Sequence, residues 1–343
     1  MTDKPVPVVC EPIFKAKPWG GRELERLFGK ALPPEQPIGE SWELSGLPDN
    51  ESRVARGPLA GVGLGTLVER WGSGLLGGAA LVDGRFPLLI KFLDAREKLS
   101  VQVHPRAPGE PGAPEPPGIK HEAWYVVAAE PGAGLYIGLQ PGVGPKDIRA
   151  AGPTAALAEL HRFRPVKPGD CFYLPSGTPH ALGAGIVVAE IQTPSDVTYR
   201  LYDWDRVGLD GRPRELHFEQ ALENIYYDVP EEQIVQPRSH QADVFATVTS
   251  LVRCRRFMID KLRLVEGVNR ELPHAEMVIW MILAGHGRLT RGDYECPFKP
   301  GDTVLIPADM EGVRVETAAV CELLEVKIPI VSGRQMRAAS CQG

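Results

Sequence analysis

Apolar and polar residues along this chain alternate in short runs far more often than they recur at helical spacing. Pro12 to Gly21 mixes apolar and turn residues as an edge strand does, and Glu40-Ser-Trp-Glu-Leu-Ser-Gly46 alternates up to a glycine. Phe86 to Leu93 is an apolar run with one lysine, Lys91, inside it. Leu99 to Pro105 alternates strictly, so Gln102 and His104 share one face of a strand while Val101 and Val103 take the other. Lys120 to Val127 predicts a strand with Lys120, Glu122 and Trp124 on one face. Gly185 to Gln192 and Thr198 to Asp205 predict two more. Helical spacing is confined to a Gly- and Leu-rich stretch, 57–84, and to Glu215–Tyr227. From about Ala246 the β pattern returns.

One stretch organises the rest. Gly169-Asp-Cys-Phe-Tyr-Leu-Pro-Ser-Gly-Thr-Pro-His180 carries an apolar strand into a dense Pro/Gly turn that ends on an imidazole. The second half echoes it. Gly301-Asp-Thr-Val-Leu-Ile-Pro307 repeats its spacing, and Glu276–Met281 resembles Glu122–Val127. By interval the counterpart of His180 is Gly312, leaving only His274 and Glu276 as polar candidates there. The second copy therefore reads as a unit without metal.

Composition narrows the class. The chain has 343 residues, 43% apolar and 24% charged, within the range of soluble globular proteins. Its net charge of -6 opposes nonspecific nucleic-acid binding, while leaving room for a local basic pocket. Six cysteines are scattered singly, which favours reduced thiols. No run approaches the ~18 apolar residues of a membrane span and residues 1–10 lack a signal-peptide core, so a cytoplasmic protein is expected. No phosphate-binding glycine loop or serine-hydrolase elbow is present.

Four residues could converge on one ion: Gln102, His104, Glu122 and His180. Two imidazoles, a carboxylate and an amide oxygen suit Zn²⁺ or another borderline divalent metal, and such a set leaves open positions for substrate. Lys91 adds a second clue. A cation among apolar residues is costly unless an anion meets it, whether a substrate phosphate or a carboxylate such as Glu97. Tyr199, Tyr202 and Trp204 could stack on a sugar or pack in a core, and the sequence does not choose between these.

The Gly-x5-Pro-x-Gly-x2-His element matches the second cupin motif. With Leu99–Pro105, Lys120-x-Glu122, Pro179-His-Ala181 and Ser195-Asp-Val-Thr-Tyr-Arg200, the chain resembles type I mannose-6-phosphate isomerases of the shorter bacterial form. The resemblance is clear from about Pro12 to Arg206. It implies a mainly β protein with two cupin (jelly-roll-like) barrels and small α-helical insertions. Residues 1–56 and 85–214 would form a metal-binding catalytic barrel, 57–84 a helical excursion, 215–245 a linker and 246–343 a degenerate metal-free barrel.

The same resemblance implies one zinc per chain on Gln102, His104, Glu122 and His180, and a phosphorylated hexose as substrate. Catalytic roles would fall on Lys120, Glu190, Asp196 and Arg200, and phosphate binding on Lys91 and Ser100. Aldose–ketose exchange through a cis-enediol would use Glu190 as proton carrier and Arg200 at the enediolate, with Asp196 orienting Arg200 and Lys120 assisting ring opening. Longer members carry a histidine before the lysine where this chain has Ile119, so that role does not transfer. The loop 105–118, with six prolines and three glycines, is a candidate lid. Isomerisation of another, unphosphorylated sugar and a noncatalytic sugar-sensing metal cupin are the alternative readings. Neither nucleic acid nor membrane is expected as a partner, and the sequence leaves the oligomeric state open.

Overall fold

The computed structural model describes residues 4–106, 118–273 and 275–330. Most of the lid candidate (107–117), His274 and Cys341 lie outside the described residues. Within them the chain is mainly β, with antiparallel sheets, and divides into two compact units. The first comprises Cys10–Arg53 and Val82–Pro237; the second gathers the described parts of Met1–Val9, Val54–Leu81 and Arg238–Gly343.

This division departs from the expected boundaries. The excursion 57–84 packs with the second unit as far as Leu81, because its helices Leu64–Trp71 and Ser73–Leu76 bury Leu64, Leu67 and Leu75 there. The Gly74 and Leu75 carbonyls accept from the amides of Asp309 and Ala308. Val8–Val9 belongs to the same unit, pairing with Thr303–Ile306. Residues 215–237, expected within a linker, pack on the first unit: helix Phe218–Asn224 buries Ala221 and Leu222 in a cluster with Val101, Val103 and Leu201.

In the first unit a six-stranded sheet runs in the order Ile13–Gly21, Ile38–Leu44, Leu89–Ala95, Ile186–Gln192, Glu122–Ala129, Cys171–Leu174. A five-stranded sheet runs Tyr199–Tyr202, Val101–Val103, His180–Leu182, Gly134–Leu139, His161–Pro165. One core draws on both, with Leu93, Trp124, Val126, Ile186 and Val188 from the first and Leu135, Ile137 and Leu182 from the second. Burying each large apolar side chain contributes about 1.5–3 kcal/mol. The period-two alternation then sets what lies beside that core. On each strand the apolar face gives way to polar residues toward one end: Val126 and Trp124 to Glu122, Val188 to Glu190, Leu93 to Lys91, and Leu182 to His180. Polar groups from four strands therefore collect together.

The second unit repeats the two-sheet plan. Its seven-stranded sheet runs Val8–Val9, Thr303–Ile306, Val278–Ala284, Cys321–Lys327, Met258–Leu264, Ala246–Arg253, His240–Ala242; its four-stranded sheet runs Asn269–Glu271, Arg314–Thr317, Gly287–Arg291, Tyr294–Phe298. The repeated turn is reproduced bond for bond. Gly169 and Gly301 both take positive φ, +95° and +84°. Their amides donate to the carbonyls of Val126 and Ile282 at 2.9 and 2.8 Å. The amides of Val126 and Ile282 in turn donate to the Asp170 and Asp302 carbonyls at 2.8 and 2.9 Å.

Register corrects two equivalences drawn from spacing. Glu122 pairs with Leu174 and Gln192, the last residues of their strands; the residue so placed in the second unit is Val278, opposite Ile306 and Lys327, not Glu276. His180 pairs with Gln102 and Ile137, whereas its inward-facing counterpart Val315 pairs with Arg270 and Leu289. Gly312 belongs to the turn before that strand. The turn there is longer, so counting residues from Gly301 stops short of the strand. Among the described residues no helix is long and apolar enough to cross a membrane.

Candidate metal centre and adjoining cavity

His104, Glu122 and His180 come together from three strands or strand ends, with ligand-capable atoms all within 4.8 Å of one another. All three are buried. Each imidazole is oriented from behind. His104 Nδ1 donates to the Val197 carbonyl at 2.9 Å, and His180 Nδ1 donates to the Thr178 carbonyl at 2.8 Å. A carbonyl only accepts, so in the neutral ring the proton sits on Nδ1 and the lone pair on Nε2. Both Nε2 atoms face Glu122 Oε1, at 3.5 Å from His104 and 3.0 Å from His180. Acceptors aimed at one another across such distances are stabilised by a shared cation, and the carbonyl-backed imidazole is the usual arrangement of a metal-binding histidine.

For His104 the electrostatics favour the same protonation state. Burial pushes His104 down to about 4, with the Lys120 ammonium beside it acting in the same direction, so the ring is neutral at pH 7. Burial alone would raise Glu122, but the Lys120 ammonium above all overrides it and holds the carboxyl well below the usual carboxylate range. Lys120 Nζ lies 2.6 Å from Glu122 Oε2, yet neither carboxylate oxygen has an aligned hydrogen-bond partner, so charge rather than hydrogen bonding holds the group. Lys120 also lies 3.2 Å from His104 Nε2.

Gln102 is adjacent but turned. Its Oε1 accepts from Ser100 Oγ at 3.1 Å, and its Nε2 lies 3.3 Å from His180 Nε2. The amide nitrogen, rather than the expected oxygen, faces the cluster because it complements the imidazole lone pair. The Ser100 hydroxyl, expected as a phosphate donor, is spent on this amide.

A cavity of about 280 Å³ adjoins the cluster, lined in part by Gln102, Lys120, Glu190, Lys91, Ser100 and Arg200. Every expected catalytic or phosphate-binding residue lies on its wall, including the exposed Asp196. Glu190 is buried rather than facing solvent: Trp124 Nε1 donates to its Oε2 at 2.8 Å, and Lys91 and Lys120 lie 3.3 and 3.8 Å from its Oε1. Lys91 is met by Glu190 and by Glu40 at 3.7 Å, not by Glu97, which pairs with Arg206. Opposite charges thus alternate from the wall into the cluster: Lys17, Glu40, Lys91, Glu190, Lys120, Glu122. Burial would raise Glu40, but Lys91 and Lys17 override it and bring it to about 2.

Asp196 does not orient Arg200. Among the described residues Arg200 makes no ion pair; its Nη1 donates to the Glu215 carbonyl at 2.7 Å, which fixes the side chain instead. Nor do Tyr199, Tyr202 and Trp204 line this cavity. They pack with the cluster that includes Val101, Leu201 and the Phe218–Asn224 helix. The cavity's aromatic residues are Trp19 and Trp42. Glu40, Trp42, Lys17 and Arg214 were not singled out by sequence. Glu40 and Trp42, two apart on a strand, carried a readable signal; Arg214, in an irregular stretch, carried none.

Comparison with known proteins places this site in context. A family model described as phosphomannose isomerase type I, catalytic domain, matches residues 9–115. Mannose-6-phosphate isomerase ManA of Bacillus subtilis is 35% identical over 323 residues, covering 92% of this chain and 97% of the relative. The crystal structure of the mannose 6-phosphate isomerase from Bacillus subtilis superimposes with a TM-score of 0.82 at 33% identity, covering 94% of this chain and all (100%) of that one. A mannose 6-phosphate isomerase solved with zinc and yttrium shares the fold at a TM-score of 0.69 and 18% identity, covering 94% of this chain and 99% of that one.

Proposed function

The chain belongs to the type I mannose-6-phosphate isomerases and is an isomerase; from that premise we propose that it interconverts mannose 6-phosphate and fructose 6-phosphate at the His104–Glu122–His180 centre, with one zinc ion. The observation that carries this reading is the convergence of two inward imidazole lone pairs and a buried carboxylate without aligned donors, beside a polar cavity. His104, Glu122 and His180 would hold the ion, with Gln102 joining through its amide oxygen. Ser100 suits either orientation of that amide, since a hydroxyl both donates and accepts. Bound there, a divalent metal supplies Lewis-acid polarisation of sugar oxygens.

The protein's own groups account for the remaining chemistry. Glu190 lines the cavity with one oxygen held by Trp124 and the other, near two ammonium groups, without a hydrogen bond among the described residues, so it suits a carrier that moves a proton between C1 and C2 through a cis-enediol. Lys91 and Lys120 keep it placed. Burial, and next the charge of Arg214, push the Arg200 guanidinium down, which makes an anion such as an enediolate or phosphate a welcome partner. Lys120 is held protonated: burial opposes its charge, but Glu122 and Glu190 outweigh burial and raise it. It therefore suits donation to the ring oxygen during opening. The exposed carboxylate of Asp196 would contact sugar hydroxyls rather than steer Arg200.

The test is removal of metal by a chelator, followed by assay of mannose 6-phosphate conversion and re-addition of zinc. Activity should vanish and return; a stripped protein that keeps its rate sinks the metal-dependent reading. Deuterium from solvent should enter C2 of the sugar, and a mere sugar sensor would incorporate none. One observation favours a second reading, an unphosphorylated substrate: Lys91, the expected phosphate partner, is already matched by two carboxylates. Turnover of mannose at a rate matching mannose 6-phosphate would establish it.

A further inference from the structure

The cations around the cavity are unequally matched. Lys17, Lys91 and Lys120 each have a carboxylate close by, at 2.9, 3.3 and 2.6 Å. Elsewhere, three guanidinium groups, Arg200, Arg206 and Arg214, gather around a single buried carboxylate, Asp203. Arg214 grips it with Nε at 2.7 Å and Nη2 at 2.5 Å, while Arg206 Nη2 reaches it at 2.7 Å. Burial would raise Asp203, but these two arginines override it and keep it ionised. Arg206 also meets Glu97 at 3.6 Å and lies off the cavity wall. Arg200 and Arg214 both line the cavity. Arg200 has no ion pair among the described residues, and its buried Nε has no hydrogen-bond partner. Among the described residues, Arg214 has Nη1 uncommitted after its two bonds to Asp203. Of the carboxylates lining the cavity, Glu40 and Glu190 are matched by the lysines, and Asp196 is exposed.

We propose that Arg214, held in place by Asp203, receives the phosphate of the substrate together with Arg200 and so sets the preference for phosphorylated sugar. The proposal rests on the isomerase reading above and supplies what Lys91 and Ser100 lack, a donor set not already spent on protein groups. A forked guanidinium with a free edge matches phosphate geometry, and the Asp203 grip removes most of the side-chain freedom that binding would otherwise have to freeze.

The experiment measures two quantities on zinc-replete protein, wild type and Arg214→Gln: the affinity for inorganic phosphate by calorimetry, and KM for mannose 6-phosphate. Both should weaken together by about tenfold or more, the size of a lost charge-assisted hydrogen bond. A raised KM with phosphate affinity unchanged would mean that Arg214 only braces the loop, and overturns the proposal. So does turnover of mannose 6-phosphate with both quantities unmoved. Loss of phosphate binding in a protein that never isomerises mannose 6-phosphate supports the anion site while sinking the isomerase reading. If Arg214→Gln fails to fold, wild-type crystals soaked with tungstate decide: density at Arg214 supports the proposal, and density at Lys91 alone, or none in the cavity, overturns it.

Discussion

In the first unit Trp124 Nε1 donates to Glu190 Oε2 at 2.8 Å; in the second, Trp280 Nε1 donates to Glu325 Oε2 at 2.9 Å. The two pairs occupy matching register positions, cross-strand neighbours on adjacent strands. What surrounds them differs. Lys91 stands opposite Glu190, whereas Asp260 stands opposite Glu325. Where the first unit has Glu122 and His180, the second has Val278 and Val315, both packed in its apolar core. The tryptophan–carboxylate bond therefore belongs to the shared architecture. A carboxylate becomes a candidate proton carrier only where buried cations and an open cavity are added around it.

The most severe way to break this contrast is to give the first unit a residue of the second. His180→Val should lower isomerase activity by more than the ~100-fold that disturbing a metal's outer shell can reach, with bound metal falling in parallel by atomic emission. Retained activity would show that the valine-bearing unit lacks nothing essential. Glu190→Gln should lower kcat by about 10²–10⁴, the range for a lost general acid–base group, while Glu325→Gln should change it less than about twofold. Equal effects would erase the distinction between the pairs.

Acid should separate the units as well. Burial pushes His161 down to about 4, with its Nδ1 bond to the Leu157 carbonyl only partly opposing. Between pH 6.5 and about 4 the unfolded chain takes up a proton that folded His161 refuses, so stability falls with falling pH by about 1.4 kcal/mol per unit. His104 acts with the same sign when metal is absent. Burial raises Asp94 to about 6, giving the opposite sign over part of that range, one group against two. All three lie in the first unit, and the described histidines of the second, His240 and His286, are exposed. Hydrogen exchange on metal-free protein at pH 5 should thus show the first unit opening before the second. The reverse order would contradict the assignment. The smallest effect should be the most symmetric: Gly169→Ala and Gly301→Ala, both at positive φ, should each cost about 1–2 kcal/mol in denaturant melts and agree within a few tenths.

Much of the site was legible because alternation and turn chemistry are local. The strand face shared by Gln102 and His104, Glu122 two residues after Lys120, and the turn delivering His180 all follow from residues near one another in sequence. Pairings across sheets were not legible. Lys91 meets Glu40 and Glu190, which lie 51 and 99 residues away in the chain and which register alone brings alongside. The counterpart Val315 is not legible because counting residues ignores a longer turn, and Val278 because a matching glutamate two residues earlier, Glu276, sits outside the strand. The 199–204 aromatics were undecidable because either face of their strand could have been the inward one. Segments 4–9 and 54–81 show the same limit for the fold, since nothing in their own pattern says which core they join.

The alternating series from Lys17 to Glu122 constrains how this enzyme can change over generations. Each of its four inner members, Glu40, Lys91, Glu190 and Lys120, neutralises neighbours on two sides. A single substitution therefore strands a charge in the interior, at about 3–5 kcal/mol by the measure of broken buried pairs. A loss of that size can consume much of a protein's marginal stability. Variation should accordingly enter the wall as linked exchanges of adjacent members, and a laboratory lineage selected for a new sugar should acquire its first changes among Asp196, Thr198 and Arg214, on the cavity's other residues, before it touches the wall.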